Sequence, residues 1–183
     1  MRVITGLSKG RKLKAPKGMG TRPTTDRAKE ALFNIIGGQV REAKFLDLFA
    51  GTGAIGIEAL SRGAREAVFV ESNPQVVKII KENLALTGFG GQAEVLSREV
   101  DRAVDLLSAA GQNYNIIFMD PPYLKNLAQT SLVKVSNGGL VAAGGLVITE
   151  SSKLDLLPEE AGHLKLFRQE KYGDTVFSFY QES

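Results

Sequence analysis

The sequence predicts an α/β protein with a doubly wound, mostly parallel sheet that ends in an antiparallel hairpin and is preceded by a basic N-terminal extension. Three observations predict it. Between residues 45 and 150, short apolar runs alternate with stretches of helical periodicity, the βαβα pattern of a parallel sheet covered on both faces. Near the end, 164–171 and 175–180 flank Tyr172-Gly173-Asp174 and read as a hairpin. At the start, residues 1–22 carry seven basic side chains and no acid, with glycines at 6, 10, 18 and 20.

Each element has its own justification. Thr21-Arg22-Pro23-Thr24-Thr25-Asp26 is rich in turn and capping residues. Behind it, Ala28, Ala31, Leu32, Ile35 and Ile36 form one apolar helical face, and Gly37-Gly38 stops that helix. Residues 45–48 make the first strand, and 54–62 a helix closed by Gly63. Residues 67–71 make the second strand. Asn73 then caps a helix with Pro74 at its first position, striped by Val76, Ile80 and Leu84 and ended by Gly88. Residues 94–96 form a short third strand and 103–109 a helix. A fourth strand spans 116–120 and a fifth 146–150, with a helical segment over 127–136 between them. The expected division is therefore a basic extension over 1–22 and one main domain over 23–183.

Composition narrows the function classes. The 183 residues contain no cysteine, which excludes disulfides, thiolate-bound zinc and a cysteine nucleophile. One histidine, His163, does not support a histidine-based triad or metal cluster, so no metal is expected. No apolar run approaches the roughly 18 residues of a membrane span. The N-terminus lacks a signal-peptide core, which makes the cytoplasm the expected location. The net charge of +3 is uneven: residues 1–44 hold eleven Lys/Arg and three Asp/Glu, the remainder twelve and seventeen. Such a basic segment suits phosphate contact, or is a solvated tail; charge alone does not separate the two.

Two stretches carry chemistry. Glycines 51, 53 and 56 form G-x-G-x-x-G after a strand and at the opening of a helix, the context of a nucleotide-binding turn. Glu71 lies at the end of the second strand, where a ribose-binding acid belongs, with Ser72 beside it. Asp47, four residues before Gly51, is unhelpful beside a pyrophosphate but suits S-adenosylmethionine, whose methionine end carries an ammonium and a sulfonium. The second stretch is Asp120-Pro121-Pro122-Tyr123. It follows Ile116-Ile117-Phe118-Met119, and two prolines end that strand because neither can donate to a ladder. A carboxylate, stiff carbonyls and an aromatic face are thereby held on one corner.

These residues resemble a known family. Asp47-x-x-x-Gly51-x-Gly53 with Glu71 is similar to the cofactor site of class I S-adenosylmethionine-dependent methyltransferases, whose Rossmann-like sheet has seven strands. Asp120-Pro121-Pro122-Tyr123 resembles their (Asp/Asn)-Pro-Pro-aromatic motif, which implies transfer to exocyclic amino nitrogens of bases. Gly6, Gly10-Arg11-Lys12-Leu13, Pro16, Thr21-Arg22-Pro23-Thr24 with Asp26-Arg27, Leu32-Phe33-Asn34 and Tyr172-Gly173 are more particular. They resemble the bacterial 16S ribosomal RNA guanine-N2 methyltransferases over essentially the whole chain. One departure stands at Ser97-Arg98-Glu99, where the family carries Asn-Asp near the cofactor adenine. Glu99 takes that role through a longer reach, or is simply an exposed acid opening a loop.

The resemblance implies a guanine in 16S RNA as target, within a small ribosomal subunit or an assembly intermediate. Nothing in the sequence demands more than a monomer. An exocyclic amine is a poor nucleophile because its lone pair is delocalised into the ring. Asp120 and the Pro121 carbonyl are the expected acceptors of its two N–H bonds, Pro122 stiffens the corner, and Tyr123 is expected to stack on the base. Arg11, Lys12, Lys14 and Arg22 are the expected phosphate contacts. Three other readings share parts of this pattern: an adenine-N6 methyltransferase of RNA or DNA, a nicotinamide-dependent oxidoreductase, and a non-catalytic RNA-binding module.

Overall fold

The computed structural model describes residues 1–16, 25–122, 126–155 and 157–183. Among the described residues, five α-helices and eight strands follow one another: α1 (Asp26–Ile36), β1 (Lys44–Leu48), α2 (Ala54–Ser61), β2 (Glu66–Glu71), α3 (Pro74–Thr87), β3 (Ala93–Ser97), α4 (Val100–Ala109), β4 (Tyr114–Met119), α5 (Leu127–Asn137), β5 (Val141–Ser152), β6 (Glu160–Ala161), β7 (Leu164–Tyr172) and β8 (Thr175–Glu182). They build one sheet in the order β3-β2-β1-β4-β5-β8-β7-β6, with β1 to β5 parallel and β8 antiparallel to β5. The expected seven strands become eight through the two-residue β6, which pairs with β7 at the edge. The fifth strand starts at Val141, five residues earlier than the apolar run suggests, because Gly144 and Gly145 are carried inside it. A register shift between Tyr114 and Ile116 in the β4–β5 pairing accompanies that irregular start.

Local chemistry accounts for the boundaries. Thr25 caps α1 by accepting the Ala28 N–H at 3.1 Å, and Asn73 caps α3 by accepting the Gln75 N–H at 2.9 Å. The strands β1, β2 and β4 are almost wholly buried, since helices cover both faces of the sheet. On one face Phe45, Phe69, Phe118, Ile148 and Phe177 pack beneath α1, α2 and α3. On the other, Leu46, Leu48, Ile117, Met119 and Val147 pack beneath α4 and α5.

The N-terminal segment is built into the domain. Arg2 bridges to Lys12 in an antiparallel loop whose Val3 and Leu13 are buried in the core beneath α1 to α3. Glu58, fully buried on α2, accepts the N–H groups of Ile4 at 2.7 Å and Thr5 at 3.0 Å. The same carboxylate pairs with Lys29 at 3.4 Å and Arg62 at 2.8 Å, and Lys29 Nζ also donates to the Arg2 carbonyl at 2.6 Å. Burial holds the Lys29 ammonium below its ordinary pKa, against the pull of Glu58. Gly6 adopts φ +87° and presses on α2 so closely that a Cβ would stand 1.7 Å from the Ser61 carbonyl oxygen.

Removing one member of a buried ion cluster strands the others without compensation. Glu58→Ala is expected to lower stability by about 3–5 kcal/mol in urea unfolding, while Glu66→Ala at the half-exposed β2 end changes it by less than about 1 kcal/mol.

Candidate active site

The sheet order reverses direction between β1 and β4, the switch point at which open α/β sheets bind ligands beyond the carboxyl ends of their strands. The candidate residues gather there. Leu48 pairs with Met119 and Val70, so β1 ends level with both neighbours, and the chain then enters the glycine turn. Phe49 opens that turn at φ 64°, an unfavourable conformation for a side chain of its size, costing about 1–3 kcal/mol. Gly51 follows at φ +53° with open space where a side chain would be, so a ligand can reach its backbone. Gly53, in the left-handed region, is the N-cap of α2. At Gly56 a Cβ would lie 2.3 Å from the Phe69 ring, so the glycine lets α2 seat on β2.

Two acids hold the turn. Asp47 is buried and accepts the Gly56 N–H at 2.9 Å. Glu71 accepts from Gly51 N–H at 3.1 Å and from Asn73 N–H at 2.9 Å, one bond to each carboxylate oxygen. Each oxygen keeps a further lone pair, enough to accept from vicinal hydroxyls. Ser72 is exposed immediately beyond, at the start of the loop into α3. Glu99 is exposed at the N-cap position of α4, where it makes no side-chain cap bond. The carboxylates carry the wrong charge for a pyrophosphate. They fit a cofactor with a cationic amino-acid end and a ribose, as S-adenosylmethionine has.

The Asp120 corner lies one strand away. Asp120 follows β4 directly, Pro121 is buried and Pro122 exposed. Side chains alternate along the strand, so Asp120 shares the face of Phe118 and of Asp47, which pairs with Phe118. Beneath it Phe118 meets Phe177 at 6.5 Å, and Phe177 meets Tyr172 at 6.0 Å. Tyr172, at the hairpin tip end of β7, thus contributes to the aromatic floor beside the corner. Tyr123 lies outside the described residues, as does Arg22 with the Thr21–Thr24 turn.

Of the expected phosphate contacts, Arg11 and Lys12 are exposed on the N-terminal loop, alongside Lys9. Lys14 is exposed too, with Nζ 2.9 Å from Glu82 Oε2. His163 is exposed at the start of the final hairpin, as its sequence position suggests.

Sequence reasoning missed two residues here. Asn83 on α3 accepts the Lys14 N–H at 2.7 Å and donates to the carbonyls of Lys14 (3.1 Å) and Thr52 (3.0 Å), tying the N-terminal segment to the glycine turn. A buried polar residue within the helical stripe was the available signal. Glu150, 7% exposed near the end of β5, is the other, and the apolar run ending in an acid was its signal.

Burial, assisted by neighbouring acids, raises the pKa values of two of these carboxyls. Burial pushes Asp47 up from 3.8 to about 7, opposed by the Gly56 bond and assisted by Glu71. Burial, then Glu150, then Asp47 push Asp120 up from 3.8 to about 8.

Comparisons with known proteins give the family and the fold. A family model described as "Conserved hypothetical protein 95" matches residues 1–181. "Ribosomal RNA small subunit methyltransferase D" of Escherichia coli K12 is 36% identical over 181 residues, covering 99% of this chain and 89% of that protein. A solved structure of a hypothetical protein from Thermus thermophilus is 35% identical with a TM-score of 0.85, covering 98% of each chain. An RNA methyltransferase from Salinibacter ruber, solved with S-adenosyl-L-homocysteine, shares the fold at 17% identity and TM-score 0.66, covering 86% of this chain and 92% of that one.

The raised values have a consequence for stability. The folded chain binds more protons than the unfolded chain between pH about 4 and about 8, so these two groups make stability fall as pH rises through that window. Asp120→Asn, which removes one such charge, is expected to stabilise the protein by about 1–3 kcal/mol at pH 8.5 and by little at pH 4, read from urea unfolding at each pH.

Proposed function

The chain belongs to the Conserved hypothetical protein 95 family, and we propose that it moves a methyl group from S-adenosylmethionine to the exocyclic N2 of a guanine in small-subunit (16S) ribosomal RNA. The carrying observation is the pairing of two acidic corners across the switch point. Asp47 on β1 and Glu71 at the end of β2 flank the glycine turn that joins β1 to α2, and Asp120 stands on the face of Asp47 just past the end of the adjacent β4.

S-adenosylmethionine, when bound, supplies an electrophilic methyl group. Asp47 and Glu71 would hold the cationic and ribose parts of that cofactor, with Gly51, Gly53 and Ser72 lining the same edge and Glu99 as the candidate for the adenine side. Asp120 and the Pro121 carbonyl accept the two N–H bonds of the base amine, which favours a pyramidal nitrogen and turns its lone pair toward the donor side. Pro122 fixes the backbone of the corner, and Tyr123 supplies a stacking face. Asp120 in its ionised form accepts from the amine and takes up the proton that the methylated nitrogen loses. Such a corner is closed to a base inside a helix, so the target guanine is unpaired or flipped out.

The RNA is held by Lys9, Arg11, Lys12 and Lys14 on the N-terminal loop, with Arg22. The loop is rigid through its bonds to Glu58 and Ser61, so phosphate contact there sets the register of the RNA over the corner. The substrate is a small ribosomal subunit or an assembly intermediate in the cytoplasm, and the chain works as a monomer.

Two measurements test this reading. Nucleoside mass mapping after incubation of ribosomal RNA or subunits with labelled S-adenosylmethionine is expected to show N2-methylguanosine. Asp120→Ala should lower its formation by roughly a hundredfold or more with the affinity for S-adenosylhomocysteine unchanged within about twofold; N6-methyladenosine as the product, or full activity in the variant, refutes the assignment. Reversing Arg11 and Lys12 to Glu together should weaken RNA binding and reduce its salt slope by about 2. Equal RNA affinity for variant and parent across salt concentrations would remove the N-terminal loop from the interface.

A further inference from the structure

Resting on that reading, we infer that Glu150 selects the base: its carboxylate accepts the N1–H of guanine while Asp120 and the Pro121 carbonyl hold the neighbouring N2 amine. The Asp-Pro-Pro corner by itself suits any exocyclic amine, so the choice of base needs a second group.

Position carries the assignment first. β4 and β5 run parallel, with Phe118 beside Ile148 and Met119 beside Thr149. One residue further on, the register brings Asp120 beside Glu150. The two side chains point to the same face, because Phe118 and Ile148 share the core beneath α1 to α3 whereas Met119 belongs to the opposite one. On its other side Glu150 pairs with Phe177 of β8, whose ring forms the aromatic floor with Phe118 and Tyr172. Glu150 also heads the charges acting on Asp120, which places the two carboxyls near one another.

Chemistry carries it the rest of the way. The Watson–Crick edge of guanine presents two adjacent donors, N1–H and the N2 amine. The corresponding edge of adenine presents the N6 amine beside N1, which is an acceptor. An ionised carboxylate only accepts, so the two acids in their ionised form complement the donor pair of guanine and repel the lone pair of adenine N1. Each mispaired buried group then counts against the wrong base. Glu150 interacts within the chain in this structure. A carboxylate has about four lone-pair sites, so the base adds to that contact or takes its place.

The test replaces the N1–H donor of the substrate by an acceptor. Once mass mapping has located the methylated guanine, RNA fragments or reconstituted subunits are made with guanine or with 2-aminopurine at that position. 2-Aminopurine keeps the N2 amine but lacks O6 and presents N1 as an acceptor. The loss of O6 is common to wild type and variant, so the change on Glu150→Gln reports on N1. Wild-type protein is expected to favour guanine by at least roughly tenfold in kcat/KM, the effect of one charge-assisted hydrogen bond. Glu150→Gln, which can turn an amide N–H toward N1, is expected to bring the two substrates within about threefold while leaving S-adenosylhomocysteine affinity unchanged. Wild-type rates that are equal on the two substrates overturn the inference without any variant being needed. A Glu150→Gln protein that keeps the wild-type preference overturns it as well. Absence of N2-methylguanosine from the wild-type reaction is a separate result: it refutes the proposed function itself, and the role of Glu150 falls with it.

Discussion

Parallel strands gather the residues at their carboxyl ends along one edge, and in this sheet that rule brings acids together on one face. β1, β4 and β5 are adjacent, and their apolar interiors end in Asp47, Asp120 and Glu150 on a single face. β2 adds Glu71 on the flank of Asp47. Burial of like charges at such spacing is unfavourable, and the upward shifts of Asp47 and Asp120 express that directly. The surroundings are hydrophobic by necessity, since Phe45, Phe69, Phe118 and Phe177 must pack beneath α1 to α3 for the fold to exist. The site is therefore a place where the folded state tolerates charge that it does not prefer. A ligand that brings positive charge or hydrogen-bond donors offsets that cost.

A second constraint keeps the edge open in one geometry. The glycine turn has few side chains of its own to hold it, and its conformation includes Phe49 at positive φ. Stability comes from outside: Glu71 and Asp47 accept from its backbone, and Asn83 donates to the Thr52 carbonyl. Asn83 in turn grips both backbone groups of Lys14. The N-terminal loop, anchored at Glu58 and Ser61, is thereby joined mechanically to the glycine turn. A basic surface and a glycine turn that look independent in the chain share one scaffold.

How far this was legible in the sequence depended on whether the determinant was local. Strands and helices between Phe45 and Glu150 were readable because their periodicity and caps are local, as Asn73-Pro74 and Thr25 show. Asp47, Gly51, Gly53, Glu71 and Asp120 were readable because strand-turn-helix chemistry assigns them positions relative to a strand end. β6 was not, because a two-residue strand exists only through its partner β7. The early start of β5 was hidden by Gly144-Gly145, which locally signal a turn. The N-terminal segment read as an extension because its basic residues dominate its composition. Its attachment depends on Val3, Leu13 and main-chain N–H groups meeting a glutamate more than fifty residues away. Glu150 and Asn83 were passed over for the same reason: their meaning lies in neighbours brought by tertiary contact.

The distribution of acids also argues for a division of labour across the switch point. Asp47 is already engaged with the Gly56 N–H in the first turn of α2, and Glu71 with the N–H groups of Gly51 in the glycine turn and of Asn73 at the cap of α3. Each is left some acceptor capacity. Asp120 lies beyond them on β4, with Glu150 beside it on β5 and two rigid, non-donating prolines following it in the chain. A corner built from acceptors selects for a partner that brings only donors along the contacted edge. Among the bases, guanine has that edge, with the ring N–H beside the amine. Under the proposed role of Glu150, the identity of the base becomes a property of β5 as much as of the Asp-Pro-Pro turn, because the amine is common to several bases and the second donor is not.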